Sequence, residues 1–371
     1  MSKFIEVVPY YSNSHHLLPK EDYMAIAPNV MTDKGYDCEC VILKPNNIKL
    51  NVVNIRKNFN SFIKIKIFTS FLRYFLYLLK QRKATIFFNE RIPSALIGFL
   101  FGKKNIFMSH QSTLPGRWWR RIVFKYCVRR FDKVRVVNNF EKDELIRIGV
   151  KRDKIASIPL AIDFDFFSKK LSSREKNEIF KKYKLNQDDI HIAFLGHVRK
   201  VKNIDTILKA VSILADTNKS VKLIVIGDDK LYQEGYNSIK EQARELNISN
   251  NIFVTGSCTP DEVVKVLNIC CVGINSSSHE GQCLAVYEMA SAGLPLCLSN
   301  MGPFTSVFGQ NALFHDPNDF KTLAKNITVY LTTKNMATAF VSNNISLIKK
   351  EYTYELVYHN LFPLFNENKE K

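Results

Sequence analysis

Short runs of β-branched and aromatic residues alternate along the chain with longer stretches in which apolar residues recur at helical spacing. Six of these runs occupy the first half of the chain: Phe4–Val8, Cys40–Leu43, Thr85–Phe88, Asn105–Met108, Val134–Val137 and Ile155–Ile158. Regular alternation of strand and helix is typical of a parallel α/β sheet. The pattern therefore predicts a doubly wound sheet for this half.

The pattern breaks after Pro159 and begins again with a charged helix predicted over Ser172–Tyr183. Five further strands are predicted beyond it: His191–Leu195, Lys222–Ile226, Asn251–Val254, Val272–Ile274 and Pro295–Leu298. A chain of 371 residues is longer than a single hydrophobic core usually supports. We therefore predict two α/β domains, residues 1–165 and 166–349, with a C-terminal helix at about 350–371 packed back on the first.

The net charge of +18 is concentrated in one quarter of the chain. Between Cys40 and Phe131 there are nineteen Lys and Arg residues and a single acid, Glu90, whereas the remainder holds equal numbers of basic and acidic residues. Clustered cations suit nucleic-acid phosphates. However, neither a helix-turn-helix nor an RNA-binding aromatic signature accompanies them. A nucleic-acid binder is therefore the least favoured class, and we expect no nucleic-acid partner.

These cations alternate with large apolar residues. Within Asn58–Lys83, apolar residues recur at helical spacing, and within Arg117–Arg130 both tryptophans stand beside arginines. Such patterns are typical of membrane-surface helices and interfacial anchors. The alternative is a pair of core helices whose basic side chains cover apolar surface, and both interpretations hold together if each helix has one face inward. We predict contact with an anionic membrane through Arg56–Lys83 and Arg117–Arg130.

Cysteine usage and the N-terminal sequence indicate a compartment. The eight cysteines form no CxxC pair and several lie in apolar runs, so we expect free thiols in a reducing cytoplasm. Glu6 and Pro9 interrupt the apolar stretch that a signal peptide needs, and no run reaches the ~18 apolar residues that cross a bilayer. We expect a cytoplasmic protein, peripheral on the inner face of the cell membrane.

The segment Asn275–Pro295 carries the clearest chemistry. A loop follows an apolar strand, presents Glu280, turns at Gly281 and starts a helix near Cys283. The start of a helix offers free N–H groups and a positive dipole to an anion. Glu280, and Glu288 within the helix, could accept hydrogen bonds from sugar hydroxyls. Two glutamates at this spacing are common on solvated helix faces, but in this setting they predict a nucleotide-sugar pocket.

Taken together, the motifs resemble glycosyltransferase family 4, the retaining GT-B enzymes also called glycosyl transferases group 1. Glu280 through Glu288 to Pro295 resembles the E-x7-E segment with its trailing A-x-G-x-P. Two more segments match, namely Phe194–Asn203, which resembles the phosphate loop GRLxxxKG, and Ile158–Phe167, which resembles the hinge segment I-P-N-G-V-D-x-x-x-F. Departures from the pattern are His197 for Arg, Cys283 for Gly, Leu160-Ala161 for Asn-Gly, and the absence of Gly-Gly after the first strand.

The resemblance implies a fold of two facing Rossmann-like, doubly wound domains with the donor site in the cleft between them. It also implies roles for individual residues. Lys202 would neutralise the donor diphosphate, with Arg199 supplying the positive charge lost at His197. Glu288 would bind the ribose and Glu280 the transferred sugar. The remaining implied binding positions are Gly196, Gly256 and Gly281, together with the N–H groups of Cys283 and Leu284 for the distal phosphate.

His110 would reach the donor sugar from the opposing domain, so the implied catalytic residues are Glu280, Lys202 and His110. Purely structural alternatives to these two roles remain open. Lys202 could be an exposed cation at a helix start, and His110 could be a strand-end histidine whose hydrogen bonds are made within its own domain. The implied reaction is front-face displacement, in which the leaving diphosphate helps to take the acceptor proton. It needs no metal and no cofactor beyond the nucleotide sugar.

The expected substrates are a UDP- or GDP-sugar and a lipid-linked glycan acceptor in surface polysaccharide or glycolipid synthesis. The alternative is a catalytically inactive GT-B scaffold at the membrane surface. The chain has Glu280, Glu288 and Lys202 all in place, which argues against an inactive scaffold.

Overall fold

The computed structural model describes residues 3–8, 29, 31–43, 64–68, 70–81, 84–89, 106–110, 118–217, 220–227 and 233–366. The chain divides into two compact units, Met1–Ala161 with Tyr354–Lys371, and Ile162–Thr353. The division at Ala161 falls inside the hinge-like segment Ile158–Phe167, four residues before the predicted boundary at 165.

The first unit contains a parallel sheet of seven strands within the described residues. The strands are β1 (Lys3–Val8), β2 (Asp37–Leu43), β3 (Lys64–Phe68), β4 (Thr85–Asn89), β5 (Ile106–His110), β6 (Lys133–Val136) and β7 (Ile155–Ser157). They lie in the order β3-β2-β1-β4-β5-β6-β7. Its helices are α1 (Phe71–Lys80), α2 (Trp118–Val128), α3 (Asn139–Arg147) and the C-terminal helix Tyr354–Asn366. Six of the strands confirm the six predicted runs, and β3 is the exception.

β3 corrects the sequence prediction of one membrane-surface helix over Asn58–Lys83. That prediction is wrong over Lys64–Phe68, where Lys and Ile alternate with the period of a strand. Lys64 Nζ lies 2.9 Å from Asp37 Oδ1, and Lys66 Nζ lies 3.2 Å from Glu39 Oε1, across the β2–β3 pairing. Both acids precede the acid-poor segment that begins at Cys40. Two of its cations are therefore neutralised by acids from a neighbouring strand.

The first sheet is covered on both faces. Successive residues of a strand point to opposite faces, so Phe4 and Ile5 belong to different hydrophobic clusters. Phe4 packs with Val357 and Leu361 of the C-terminal helix. Ile5 shares its cluster with buried residues of the helices on the other face, namely Tyr74 and Leu78 of α1, Phe124 and Val128 of α2, and Leu145 of α3. This is the two-faced covering expected of a doubly wound sheet.

The second unit contains a six-stranded parallel sheet. Its strands are β8 (Ile190–Leu195), β9 (Val221–Ile226), β10 (Ile252–Gly256), β11 (Val272–Asn275), β12 (Leu296–Ser299) and β13 (Leu313–His315). Its helices are α4 (Phe164–Phe167), α5 (Ser173–Tyr183), α6 (Ile204–Thr217), α7 (Gln233–Glu245), α8 (Pro260–Leu267), α9 (Leu284–Ser291), α10 (Gly302–Phe308), α11 (Phe320–Thr332) and α12 (Lys334–Glu351). The five predicted strands are confirmed, as is the charged helix α5, for which Ser172 is the N-cap with a capping box to Glu175. The three-residue β13 was not predicted.

Strand order creates a switch point in the middle of this sheet. The strands lie in the order β10-β9-β8-β11-β12-β13. From β8 the chain runs outward to β9 and β10, then crosses to β11 on the other side of β8. The connections from β8 to β9 and from β11 to β12 therefore run in opposite directions along the sheet, and ligands bind at such points in open α/β sheets.

Two expectations about the chain as a whole can be compared with the structure. All eight cysteines are free thiols, as predicted. Among the residues that the structure describes, no helix is both long enough and apolar enough to span a bilayer.

Candidate functional site

Two loops meet at the switch point of the second sheet. One follows β8 through Gly196 to a single 3₁₀ turn, Lys200–Lys202. The other follows β11 from Ser276 to the start of α9. The backbone N–H of Ser278 donates to Val201 O at 2.8 Å, so the two loops are held together by a main-chain hydrogen bond.

Glycine is required at the exit of β8 by backbone conformation. Gly196 has a φ of +139°, a backbone conformation that residues with a β-carbon rarely adopt. Its N–H donates to Ile226 O at 2.9 Å, which joins the ends of β8 and β9. A β-carbon on the neighbouring Gly227 would lie 2.3 Å from Gly196 O. Both glycines therefore let two strand ends approach closely at the ligand edge of the sheet.

Lys202 lies buried between the two loops, with 7% of its surface exposed. Its Nζ donates to Glu280 Oε1 at 2.5 Å and to Cys283 Sγ at 3.5 Å. Because the lysine is buried, the alternative of an exposed helix-start cation does not describe it.

The charge on Lys202 is maintained by its neighbours. Burial works to lower the pKa of Lys202, but the Cys283 and Glu280 side chains raise it more, and the net pKa lies above the ordinary 10.5. Burial also raises the pKa of the Cys283 thiol to about 11, so that thiol is neutral near pH 7. Near pH 7 the negative charge beside the Lys202 ammonium is therefore that of the Glu280 carboxylate.

Glu280 is held by a polar network that the sequence reasoning did not identify. Ser277 Oγ donates to Glu280 Oε1 at 2.7 Å. Asn275, the last residue of β11, accepts from the Ser277 N–H at 3.0 Å and donates through Nδ2 to Cys283 Sγ at 3.6 Å. Asn275 and Ser277 are fully buried. The only sequence signal for this network is a run of polar residues directly after a buried strand.

A second unforeseen contact supports the same loop. Ser276 Oγ and His315 Nε2 lie 3.4 Å apart, and both residues are almost completely buried. Burial lowers the pKa of His315, which favours the neutral imidazole. Because His315 ends β13, which was not predicted, sequence reasoning had no means of placing it here.

The N-terminus of α9 completes the arrangement. Cys283 is its N-cap and makes no side-chain capping bond, and Leu284 is its first residue. The first turn contains no acidic residue. The helix dipole and free N–H groups at this end therefore present positive potential near the Lys202 ammonium. Gly281 lies in the connecting loop, and Glu288 is partly buried further along α9.

The other predicted site residues lie on the loop after β8, on β10 and in the first unit. His197 is partly buried and Arg199 exposed in the loop between β8 and the 3₁₀ turn. Gly256 ends β10 with a φ of +74°, two strands away from β8. His110 is the last residue of β5 in the first unit, and its side chain is outside the described part of the structure.

The cluster thus combines a buried cation, a helix N-terminus and the Glu280 carboxylate at the carboxyl edge of a parallel sheet. These groups suit an anionic ligand that also carries hydroxyls. Within the described residues, no group of three His, Cys, Asp or Glu side chains is arranged to hold a metal ion.

Two family models match the chain. Residues 29–166 match Glycosyltransferase Family 4, and residues 175–346 match Glycosyl transferases group 1. The chain belongs to the group 1 glycosyltransferases. The family expected from the motifs is therefore confirmed.

Curated relatives of this glycosyltransferase match about half of its length. It is 28% identical over 182 residues to the alpha-monoglucosyldiacylglycerol synthase of Streptococcus pneumoniae (strain ATCC BAA-255 / R6). The aligned region covers 48% of this chain and 40% of the relative. It is also 28% identical over 199 residues to the O-antigen chain mannosyltransferase B of Escherichia coli. This aligned region covers 52% of this chain and 49% of the relative. The chain therefore spans less than half the length of each.

A solved structure extends the likeness to the whole glycosyltransferase. Anabaena Alr3699/HepE, solved in complex with UDP, superposes with a TM-score of 0.81 over 99% of this chain and 100% of that one, at 12% identity. At that identity the likeness establishes the fold alone. The predicted GT-B fold of two Rossmann-like domains is confirmed.

Proposed function

We propose that this protein is a retaining glycosyltransferase that moves a sugar from a UDP- or GDP-sugar to a membrane-associated, lipid-linked glycan acceptor. Its products would belong to surface polysaccharide or glycolipid synthesis. The observation that carries the proposal is the buried Lys202, paired with Glu280 beside the N-terminus of α9.

The cluster supports a donor diphosphate. Lys202 supplies one desolvated positive charge, and the N–H groups of Cys283 and Leu284 supply hydrogen bonds at the start of α9. Glu288 then accepts from the ribose hydroxyls and Glu280 from hydroxyls of the transferred sugar. The complex of the similarly folded Anabaena protein with UDP supports a uridine nucleotide as the first donor to test.

The proposed reaction is a front-face displacement at the anomeric carbon. The bond from this carbon to the diphosphate oxygen breaks, and the acceptor oxygen forms its bond on the same face. The acceptor proton passes to the leaving diphosphate. Lys202, whose raised pKa keeps it protonated, stabilises the charge that develops on the leaving group together with the helix dipole. His110 is proposed to contact the donor sugar from the first unit.

We further propose that the reaction needs no metal ion. The protein's own positive groups, Lys202 and the N-terminus of α9, serve the purpose that a divalent cation serves in other transferases. Activity that survives EDTA would support this, and complete loss on chelation with recovery on adding a divalent ion would contradict it.

The first unit offers a surface for an acceptor in a membrane. Three residues of α2 at four-residue spacing are largely exposed, with Trp118 at 74%, Ile122 at 60% and Tyr126 at 56%. We call these three residues the α2 stripe. Arg121 and Lys125 are exposed on the same helix. An apolar stripe beside cations is the composition of an interfacial helix on an anionic leaflet. The proposed location is therefore the inner face of the cell membrane.

The structure narrows the cations available for this contact. Arg129, inside the predicted membrane segment, donates through Nε to Ile148 O at 3.0 Å and so supports its own unit. Lys64 and Lys66 pair with acids, as described above. The contact is therefore proposed for α2 and for the exposed Leu72, Arg73 and Leu76 of α1, rather than for the whole of both predicted segments.

The decisive experiment is a screen of nucleotide sugars for release of the nucleoside diphosphate by the full chain. Each donor is tested with and without EDTA, in the presence of anionic vesicles that carry a lipid-linked acceptor. Release with one donor, increased by the acceptor and accompanied by a product of retained anomeric configuration, supports the proposal. Binding of a nucleotide without release from any donor would favour the inactive scaffold.

A further inference from the structure

The two oxygens of the Glu280 carboxylate have different surroundings. Lys202 Nζ at 2.5 Å and Ser277 Oγ at 2.7 Å both contact Oε1. Oε2 makes no hydrogen bond with the residues that the structure describes, and the side chain is 14% exposed. One oxygen is thus bound within the protein, while the other remains available to a ligand.

Ser277 is itself rigidly held. It is fully buried, and its backbone N–H donates to the side chain of Asn275 on β11 at 3.0 Å. Asn275 is also fully buried, and as the last residue of β11 it pairs with Leu298 of β12. The hydroxyl that contacts Glu280 is therefore fixed by the sheet and not only by the loop.

We propose that Ser277 is a positioning residue that holds Glu280 with Oε1 toward Lys202 and Oε2 toward the hydroxyls of the donor sugar. This inference rests on the proposed function. The terminal torsion of a glutamate is broad, so a carboxylate held by Lys202 alone could still turn about it. A second, rigid donor on the same oxygen removes that freedom. Ser277 therefore acts on the sugar through Glu280 and does not touch the reacting atoms.

This arrangement predicts a split between two parts of the donor. Removing the Ser277 hydroxyl loosens the carboxylate that binds the sugar but leaves the ammonium and the helix N-terminus for the diphosphate. For Ser277→Ala we expect kcat/KM with the nucleotide sugar to fall about ten- to hundredfold, as for loss of a hydrogen bond to a charged group. The Kd of the nucleoside diphosphate without sugar should change by less than about threefold.

Ser291→Ala is a matched control. Ser291 lies on α9, is 1% exposed, and its hydroxyl donates to Tyr287 O at 2.8 Å. The Ser291→Ala variant therefore loses a buried, hydrogen-bonded hydroxyl of the same kind, but one that does not bind Glu280. Both variants are compared with wild type in sugar-donor kinetics, in nucleoside-diphosphate binding and in thermal melting. Equal kinetics for the two variants would overturn the inference, as would an equal loss of sugar-donor and diphosphate affinity in Ser277→Ala.

A readout that needs no activity separates this inference from the proposed function. Trace acetylation with acetic anhydride, quantified by mass spectrometry, reports how firmly Lys202 is held. A loosened Glu280 should raise labelling of Lys202 several-fold in Ser277→Ala but not in Ser291→Ala. If wild type turns over no donor, the proposed function fails, and the labelling alone decides whether Ser277 positions the pair. Unchanged labelling in both variants would overturn that role.

Discussion

Two regions of this protein use positive charge in opposite ways. Lys202 in the second unit is 7% exposed and has a carboxylate oxygen at 2.5 Å. Arg121 and Lys125 on α2 of the first unit are exposed and form no ion pair with the described residues. A desolvated, paired cation is fixed and directional, whereas exposed cations act collectively and are screened by salt. The first setting suits one bound anion, and the second suits a charged surface.

The largest expected effect comes from removing the buried, paired cation. Lys202→Ala removes the buried charge, so we expect kcat/KM for the nucleotide sugar to fall by roughly 10²–10³-fold, as for loss of one group that stabilises transition-state charge. Lys200→Ala is the control, since Lys200 is exposed on the same 3₁₀ turn. Circular dichroism checks that both variants are folded. An equal loss in the two variants would show that burial does not distinguish these cations.

The next effect tests whether α9 binds the nucleoside part of the donor. Glu288→Ala should weaken both the nucleotide sugar and the free nucleoside diphosphate by about ten- to hundredfold, because both carry the ribose. Glu241→Ala, an exposed glutamate on α7, is the control. Isothermal titration with the nucleoside diphosphate measures the change. Retained diphosphate affinity in Glu288→Ala would place the ribose elsewhere.

A smaller effect is expected at the membrane. Replacing Trp118 and Trp119 together by Ala should lower partitioning onto anionic vesicles by roughly tenfold or more, since burying such a side chain contributes at least about 1.5 kcal/mol. Hydrolysis of a soluble donor should remain nearly normal. Vesicle co-sedimentation at low and high salt gives both the affinity and its screening. If wild type partitions equally onto neutral and anionic vesicles, the exposed cations of α2 have no role in docking.

The smallest effect concerns stability at high pH. Because the pKa of Lys202 is raised above 10.5 in the folded protein, the Lys202–Glu280 pair stabilises the fold fully below that pH. The contribution is lost as the pH rises from 10.5 through the raised value. The difference in Tm between wild type and Lys202→Met should therefore shrink between pH 8 and pH 11.5. A difference that stays constant over this range would mean that the pair does not contribute to stability.

Much of the fold was predictable because strand and helix periods are local properties of the sequence. Eleven apolar runs correspond to strands, and Ser172 marks the start of a charged helix with a capping box. β3 was mistaken for helix because Lys64–Phe68 leads directly into α1, so two periods merge in one apolar stretch. β13, which spans Leu313–His315, was the other strand that the patterns did not predict.

The sequence by itself singled out Gly196, Lys202, Glu280 and Glu288 as candidates, since each follows or lies near a recognisable strand end or helix start. It assigned Lys202 and Glu280 to different parts of a ligand. Only the tertiary structure decided that they contact each other, because β8 and β11 become neighbours through a strand order that no local pattern encodes. The same reason applies to Asp37 and Lys64, whose pairing depends on β2 lying beside β3. Local periodicity specifies elements, whereas burial and charge pairing depend on which elements the fold makes adjacent.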